Sequence, residues 1–120
     1  MRFLTAWRES LKMKDNPKLL SLLGMCRKAR KLSCGHDAAV ESVRRKEACL
    51  CFLSSDASER LKSEMQREIA MNSACIDLIE LNSDMTEIGK AVGLKSAVLT
   101  VNDSGFAQSM RRLSDKEVTE

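Results

Sequence analysis

The chain has no tyrosine, one tryptophan and three phenylalanines among its 120 residues. Proteins that hold single strands without sequence preference stack successive bases on several exposed rings. Phe3, Trp7, Phe52 and Phe106 cannot supply that platform, so a nucleic acid bound here would be held by backbone charge and shape. One histidine and no Cys-x-x-Cys leave little from which to build a zinc site, and no metal or cofactor is expected. No G-x-x-x-x-G-K-S/T loop exists to cradle a nucleotide. No run of 18 apolar residues occurs, so no spanning helix is expected. The start carries Arg2 and then Trp7, Arg8 and Glu9, without the apolar stretch of a secretory signal, which points to the cytoplasm. Internal repeats and low-complexity segments are also missing.

What is present fits one globular domain with a real core: 43% of the residues are apolar. The five cysteines (26, 34, 49, 51 and 75) are odd in number and lie in or beside apolar segments, so they are expected to be reduced and buried. The net charge of +3 is uneven. Residues 1–60 hold 13 Lys/Arg against 7 Asp/Glu, whereas residues 61–120 hold 7 against 10. A basic half joined to an acidic half suggests a one-sided contact with a polyanion; a solvated surface with chance asymmetry is the plainer alternative.

Along the chain, residues 1–14 form a basic amphipathic extension with Phe3, Leu4, Trp7 and Leu11 at helical spacing. Met13 offers a second reading as a translation start. The domain proper is expected over 15–113. Asn16-Pro17 starts a helix that should run to about Arg30, with Leu19, Leu22, Leu23 and Cys26 inward. Leu32–Cys34 is a short strand ending at Gly35, and a second helix, capped by Asp37, should run to Arg45. Ala48–Leu53 reads as a strand apolar on both faces. Asp56 and Glu59 stand at capping-box spacing before a third helix whose inner residues are Leu61, Met65 and Ile69. A strand at 75–81 follows, then a short helix capped by Asp84 with Glu87 and stopped at Gly93. The strand Ala97–Val101 and a last helix with Phe106, Met110 and Leu113 inward complete the domain, and 114–120 is expected to be a frayed polar tail. Strands alternating with helices define an α/β fold, here a four-stranded sheet with helices on both faces.

The stretch Arg27-Lys28-Ala29-Arg30-Lys31-Leu32-Ser33-Cys34-Gly35-His36-Asp37 concentrates the chemistry. Four of its first five residues are cationic, and a helix begins just beyond its glycine. Free backbone N–H groups and cations then point the same way, an arrangement suited to a polyanion. Arg44, Arg45 and Lys46 lie at the end of that helix, where cations also meet the helix dipole favourably without any ligand.

Leu22-Leu23-Gly24-Met25, the basic run Arg27–Lys31 and Gly35 resemble the opening of the small ribosomal-protein family of the L7Ae/L30e type, and within it the bacterial YlxQ-like branch. Ser55-Asp56-Ala57-Ser58, Ile88-Gly89-Lys90-Ala91-Val92-Gly93 and Asp103-Ser104-Gly105-Phe106-Ala107 resemble later blocks of the same family. The likeness covers about residues 17–113. It implies a three-layer α/β/α sandwich around a four-stranded mixed sheet, and a non-catalytic, ribosome- or translation-associated protein that binds structured RNA, typically a kink-turn. The RNA would sit at the helix start after Gly35. The implied contact set is Arg27, Lys28, Arg30 and Lys31, then Gly35, His36 and Asp37, with Arg44, Arg45 and Asn102 beyond. Kink-turn readers of the family carry Asn, Glu and Lys along this helix; the matching positions here hold Asp37, Ala38 and Glu41. Asp37 lacks amide donors, Ala38 has no polar atom for a base edge, and Glu41 repels phosphate. Phosphate attraction therefore survives better than base reading.

Two rivals follow from the same residues. Cys34, His36 and Asp37 place a thiol, an imidazole and a carboxylate together, but adjacency along a chain does not build a nucleophilic site. A protein-interaction adaptor of the same fold that has lost specific RNA reading is the second, since fold does not fix function. The expected partners are structured RNA, ribosomal or otherwise non-coding, and the ribosome or translation factors, with the protein a monomer.

Overall fold

The computed structural model describes residues 12–13, 17–72 and 76–119. In chain order the elements are β1 (Lys12–Met13), α1 (Pro17–Lys28), β2 (Leu32–Cys34), α2 (His36–Arg44), β3 (Leu50–Leu53), α3 (Glu59–Met71), β4 (Asp77–Leu81), α4 (Met85–Val92), β5 (Val98–Val101) and α5 (Ser104–Thr119). The sheet runs β1-β4-β3-β5-β2. β3 lies parallel to β4 and antiparallel to β5, and β5 is antiparallel to β2. This is the expected mixed four-stranded sheet with a two-residue strand, β1, added parallel to β4 at one edge.

All four residues of β3 and of β5 are buried, as expected for strands covered on both faces. Successive side chains of a strand point to opposite faces, and two apolar layers result. Leu50, Phe52, Leu99 and Val101 join Leu19, Leu23 and Cys26 of α1, Ile88 and Val92 of α4, and Met110 of α5. Cys51, Leu53 and Val98 join Val40 and Val43 of α2 and Met65 and Ile69 of α3. The three layers are therefore α1/α4/α5, sheet, and α2/α3.

Local chemistry sets the element ends. Asp84 accepts from the Glu87 N–H at 2.9 Å and Glu87 reaches back to the Asp84 N–H at 3.0 Å, the reciprocal box expected there. Gly93 ends α4 at φ +88°. Asp56 does not cap α3. Ser58 does, accepting from the Leu61 N–H, while Asp56 accepts from the Ser54 hydroxyl and from the Met85 N–H at the start of α4. Asp56 thus ties the β3 exit to α4, a long-range role that its local spacing conceals. Asp37 is not the cap of α2 either, since that position falls to Gly35. α1 stops at Lys28, two residues before the expected end, and the α5 backbone continues to Thr119, past the expected stop at 113. Of the N-terminal extension only Lys12–Met13 is described, as strand; Phe3, Leu4, Trp7 and Leu11, the Asn16 cap and Cys75 lie outside the described residues. Cys26 and Cys51 are free and buried, whereas Cys34 and Cys49 are free and only partly buried.

Candidate nucleic-acid interface

β2 is the edge strand opposite β1, and it delivers the chain to α2 through Gly35. Gly35 stands at φ +96°, ψ 163°, a region essentially closed to other residues. Nothing lies within 4 Å of where its Cβ would be, so backbone conformation rather than crowding demands glycine. Its N–H donates to Val98 O at 3.0 Å, which anchors the turn to the start of β5, and its carbonyl accepts from the Ala39 N–H. Among the described residues, no side chain caps α2. His36, Asp37 and Ala38 in the first turn are all exposed, so the unpaired N–H groups of a helix start face outward, the general setting for an anion.

His36 is held between two carboxylates: Nδ1 is 3.3 Å from Asp37 Oδ1 and Nε2 is 3.2 Å from Glu64 Oε1 on α3. Both ring nitrogens face carboxylates. Cys34 is half-buried and its thiol is pushed up by that burial, against the lowering influence of Arg27 and a hydrogen bond with Ser96. Cys34, His36 and Asp37 are therefore neighbours in sequence without forming a thiol–imidazole pair.

The basic run divides. α1 ends in a two-bond turn in which Arg30 N–H donates to Arg27 O and Lys31 N–H donates to Cys26 O, both at 2.9 Å. This leaves Arg27 and Lys28 on the last helical turn. Arg27 Nη1 donates to Val92 O, the final residue of α4, at 2.8 Å. The close approach of α4 depends on two glycines. A Cβ on Gly24 would meet Ala91 O at 2.7 Å, and one on Gly93 would meet Arg27 Nη1 at 2.9 Å. Between α1 and α4 runs a groove of about 760 Å³ lined by Arg27, Lys28, Arg30, Leu32, Lys90 and Gly93. It meets the edge strand at Leu32, the first residue of β2.

The other expected residues lie at the end of β2 opposite Gly35, roughly 10 Å away for three residues of strand. Asn102 is a positioning residue there. Its backbone N–H donates to Lys31 O at 2.8 Å, its amide nitrogen donates to Ser33 Oγ at 2.8 Å, and its amide oxygen accepts from Ser42 Oγ. Arg44 makes a bidentate pair with Glu68 of α3 at 3.1 and 3.0 Å, and the pair holds the Glu68 carboxyl below its usual range. Arg45 pairs with Glu41 at 2.7 Å, one turn back on α2. These two arginines have protein partners, whereas Lys28, Arg30 and Lys31 are exposed with no carboxylate partner among the described residues.

Lys90 was absent from the contact set read from the sequence. Its only signal lay in the Ile88–Gly93 block, whose nearness to α1 depends on packing across Gly24 and cannot be read from spacing.

The architecture is thus that of a small α/β/α domain with a basic groove at the start of an edge strand whose other end leads into an uncapped helix start. The chain belongs to the ribosomal protein L7Ae/L30e/S12e/Gadd45 family, whose profile matches residues 17–111. Its likeness within the family is to the YlxQ-like branch. It is 28% identical over 99 residues to the "RNA-binding protein YlxQ" of Enterococcus faecium, covering 82% of this chain and 93% of that protein. A solved Bacillus halodurans structure, described as a protein with unknown function, superposes with a TM-score of 0.72 at 29% identity, covering 83% of this chain and 99% of that one. The Giardia lamblia 15.5 kD RNA binding protein shares the fold, with a TM-score of 0.66 at 14% identity, covering 85% and 89%.

Proposed function

We propose that this protein is a non-catalytic RNA-binding protein of the cytoplasm, acting as a monomer on structured RNA, ribosomal or otherwise non-coding, in association with the ribosome or translation factors. The observation that carries the reading is a single edge strand, β2, with the groove of Arg27, Lys28 and Lys90 at its Leu32 end and the uncapped start of α2 at its Gly35 end. Backbone N–H groups and cations thus lie along the same edge strand, a combination that suits phosphate. The name of the Enterococcus faecium relative supports the same class of ligand.

The contact is dominated by backbone phosphate rather than base edges. Asp37 and Glu41 bring negative charge to the helix that would face the bases, and Ala38 offers no polar group. The RNA is a kink-turn or another fold that presents phosphates at a bend, and shape selects it. Titrating a standard kink-turn RNA and an unrelated stem-loop at two salt concentrations tests this. Binding with a steep salt dependence and a preference for the kinked RNA is expected. Equal affinities for both would remove kink-turn selectivity, and no binding to either at low salt would sink the RNA reading.

A further inference from the structure

Among the described residues, two side chains other than glycine stand on a left-handed backbone: Arg30 at φ +63° and Lys46 at φ +62°. They occupy equivalent places. Each is the residue after a helix cap, where glycine is the usual choice because an L side chain is strained there. Arg30 closes α1 as described above. Lys46 closes α2 in the same way, with Lys46 N–H donating to Val43 O and Glu47 N–H to Ser42 O, both at 3.0 Å. Two successive helices therefore end in the same turn, and each turn puts a cation where glycine would relieve strain.

The two turns are joined through Asn102. Its N–H holds Lys31 O, its amide oxygen takes the Ser42 hydroxyl, and Ser42 O receives the Glu47 N–H. This end of the sheet thus displays Arg30, Lys31 and Lys46 together, all exposed and without a carboxylate partner among the described residues. The nearby acids are Glu47, which is exposed, and Asp103, whose carboxylate accepts from the Phe106 N–H at 2.9 Å. Glu41 and Glu68 are taken by Arg45 and Arg44. Backbone strain that surrounding structure over-determines gathers at binding sites.

We infer that Arg30, Lys31 and Lys46 form a second phosphate contact, at the end of β2 opposite Gly35, for a further stretch of the same RNA. The inference rests on the RNA reading above. Arg30 also lines the groove between α1 and α4, so the two contacts are connected by a basic track along the edge strand. An RNA backbone fits better than an acidic protein. Protein partners anchor on apolar or aromatic side chains in desolvated pockets, and neither Ala29–Lys31 nor Arg45–Glu47 contains a large apolar side chain.

The test compares a kink-turn RNA with long stems and the same RNA with its stems trimmed, using wild type, Lys46→Gly and Lys46→Arg. Glycine relieves the left-handed turn, so a rise in melting temperature separates lost binding from lost folding. Wild type is expected to bind the long-stemmed RNA more tightly than the trimmed one. Lys46→Gly should bind the long-stemmed RNA several-fold more weakly, with a log–log salt slope shallower by about one. It should bind the trimmed RNA as wild type does, and Lys46→Arg should match wild type on both. Unchanged affinity of Lys46→Gly for the long-stemmed RNA would overturn the second contact while leaving the RNA function standing. Capture of poly-glutamate by wild type but not by Lys46→Gly, with RNA binding unaltered, would overturn it in favour of an acidic protein. Failure of wild type to bind either RNA would overturn the function itself.

Discussion

The Arg27 guanidinium donates to the Val92 carbonyl at 2.8 Å, across the groove it helps to line. One side chain thus fastens α1 to the C-terminus of α4 and satisfies a helix-end carbonyl. Arg27→Met keeps most of the stem and loses the bond, which should destabilise the fold by about 1–2 kcal/mol. Gly93→Ala should have an effect of similar size, about 1–2 kcal/mol, because it strains φ +88° and pushes a methyl against Arg27. Urea titration checks both.

Gly35→Ala introduces no clash, since the space around the new methyl is open. It should still destabilise by about 1–3 kcal/mol, because the backbone region is almost exclusive to glycine. RNA affinity should fall with it, as relaxation of the turn reorients the first N–H groups of α2. Denaturant midpoints and RNA titrations on the same preparation measure the two effects, and full retention of both would remove Gly35 from the account.

Thr100 sits within β5 with its Oγ1 buried and without a hydrogen-bond partner among the described residues. Replacing a buried orphan hydroxyl with a methyl of the same shape removes a desolvation penalty. Thr100→Val should raise stability by about 1 kcal/mol. A lower melting temperature would show that the hydroxyl has a partner.

Burial pushes the Cys26 thiol up to about 11 and the Cys51 thiol up to about 12. Folding therefore favours their protonated forms. That stabilisation is complete below the thiol pKa of the unfolded chain and is lost as pH rises through the folded values. Melting temperature should drop through this alkaline window, less steeply for Cys26→Ala and Cys51→Ala than for wild type. At neutral pH both should resist iodoacetamide until the protein unfolds. Cys34, also pushed up by burial, should react more slowly than free cysteine; faster reaction would reopen a catalytic role for it.

Elements whose information is local were readable in the sequence. The Asp84–Glu87 box, the stop at Gly93 and the two-sided burial of β3 follow from spacing and hydropathy within a few residues. Features made by long-range packing were not. Asp56 looked like a cap of α3 and instead serves α4, 29 residues away. Asn102 stands in the contact set implied by the family resemblance, yet its side chain is occupied by Ser33 and Ser42, which lie far off in sequence. The stretch Arg27–Asp37 reads as one site, but β2 runs through it and separates Gly35 from Lys31. Lys90 joined the groove only because Gly24 lets α4 close on α1.

The most direct measurement is the salt dependence of RNA affinity for wild type and for Lys28→Glu/Lys90→Glu, which reverses two groove charges that have no carboxylate partner among the described residues. The account predicts weaker binding by a similar factor for every RNA tested, with a log–log salt slope shallower by about two and an unchanged melting temperature. Wild-type affinity and slope in the folded double variant would contradict it.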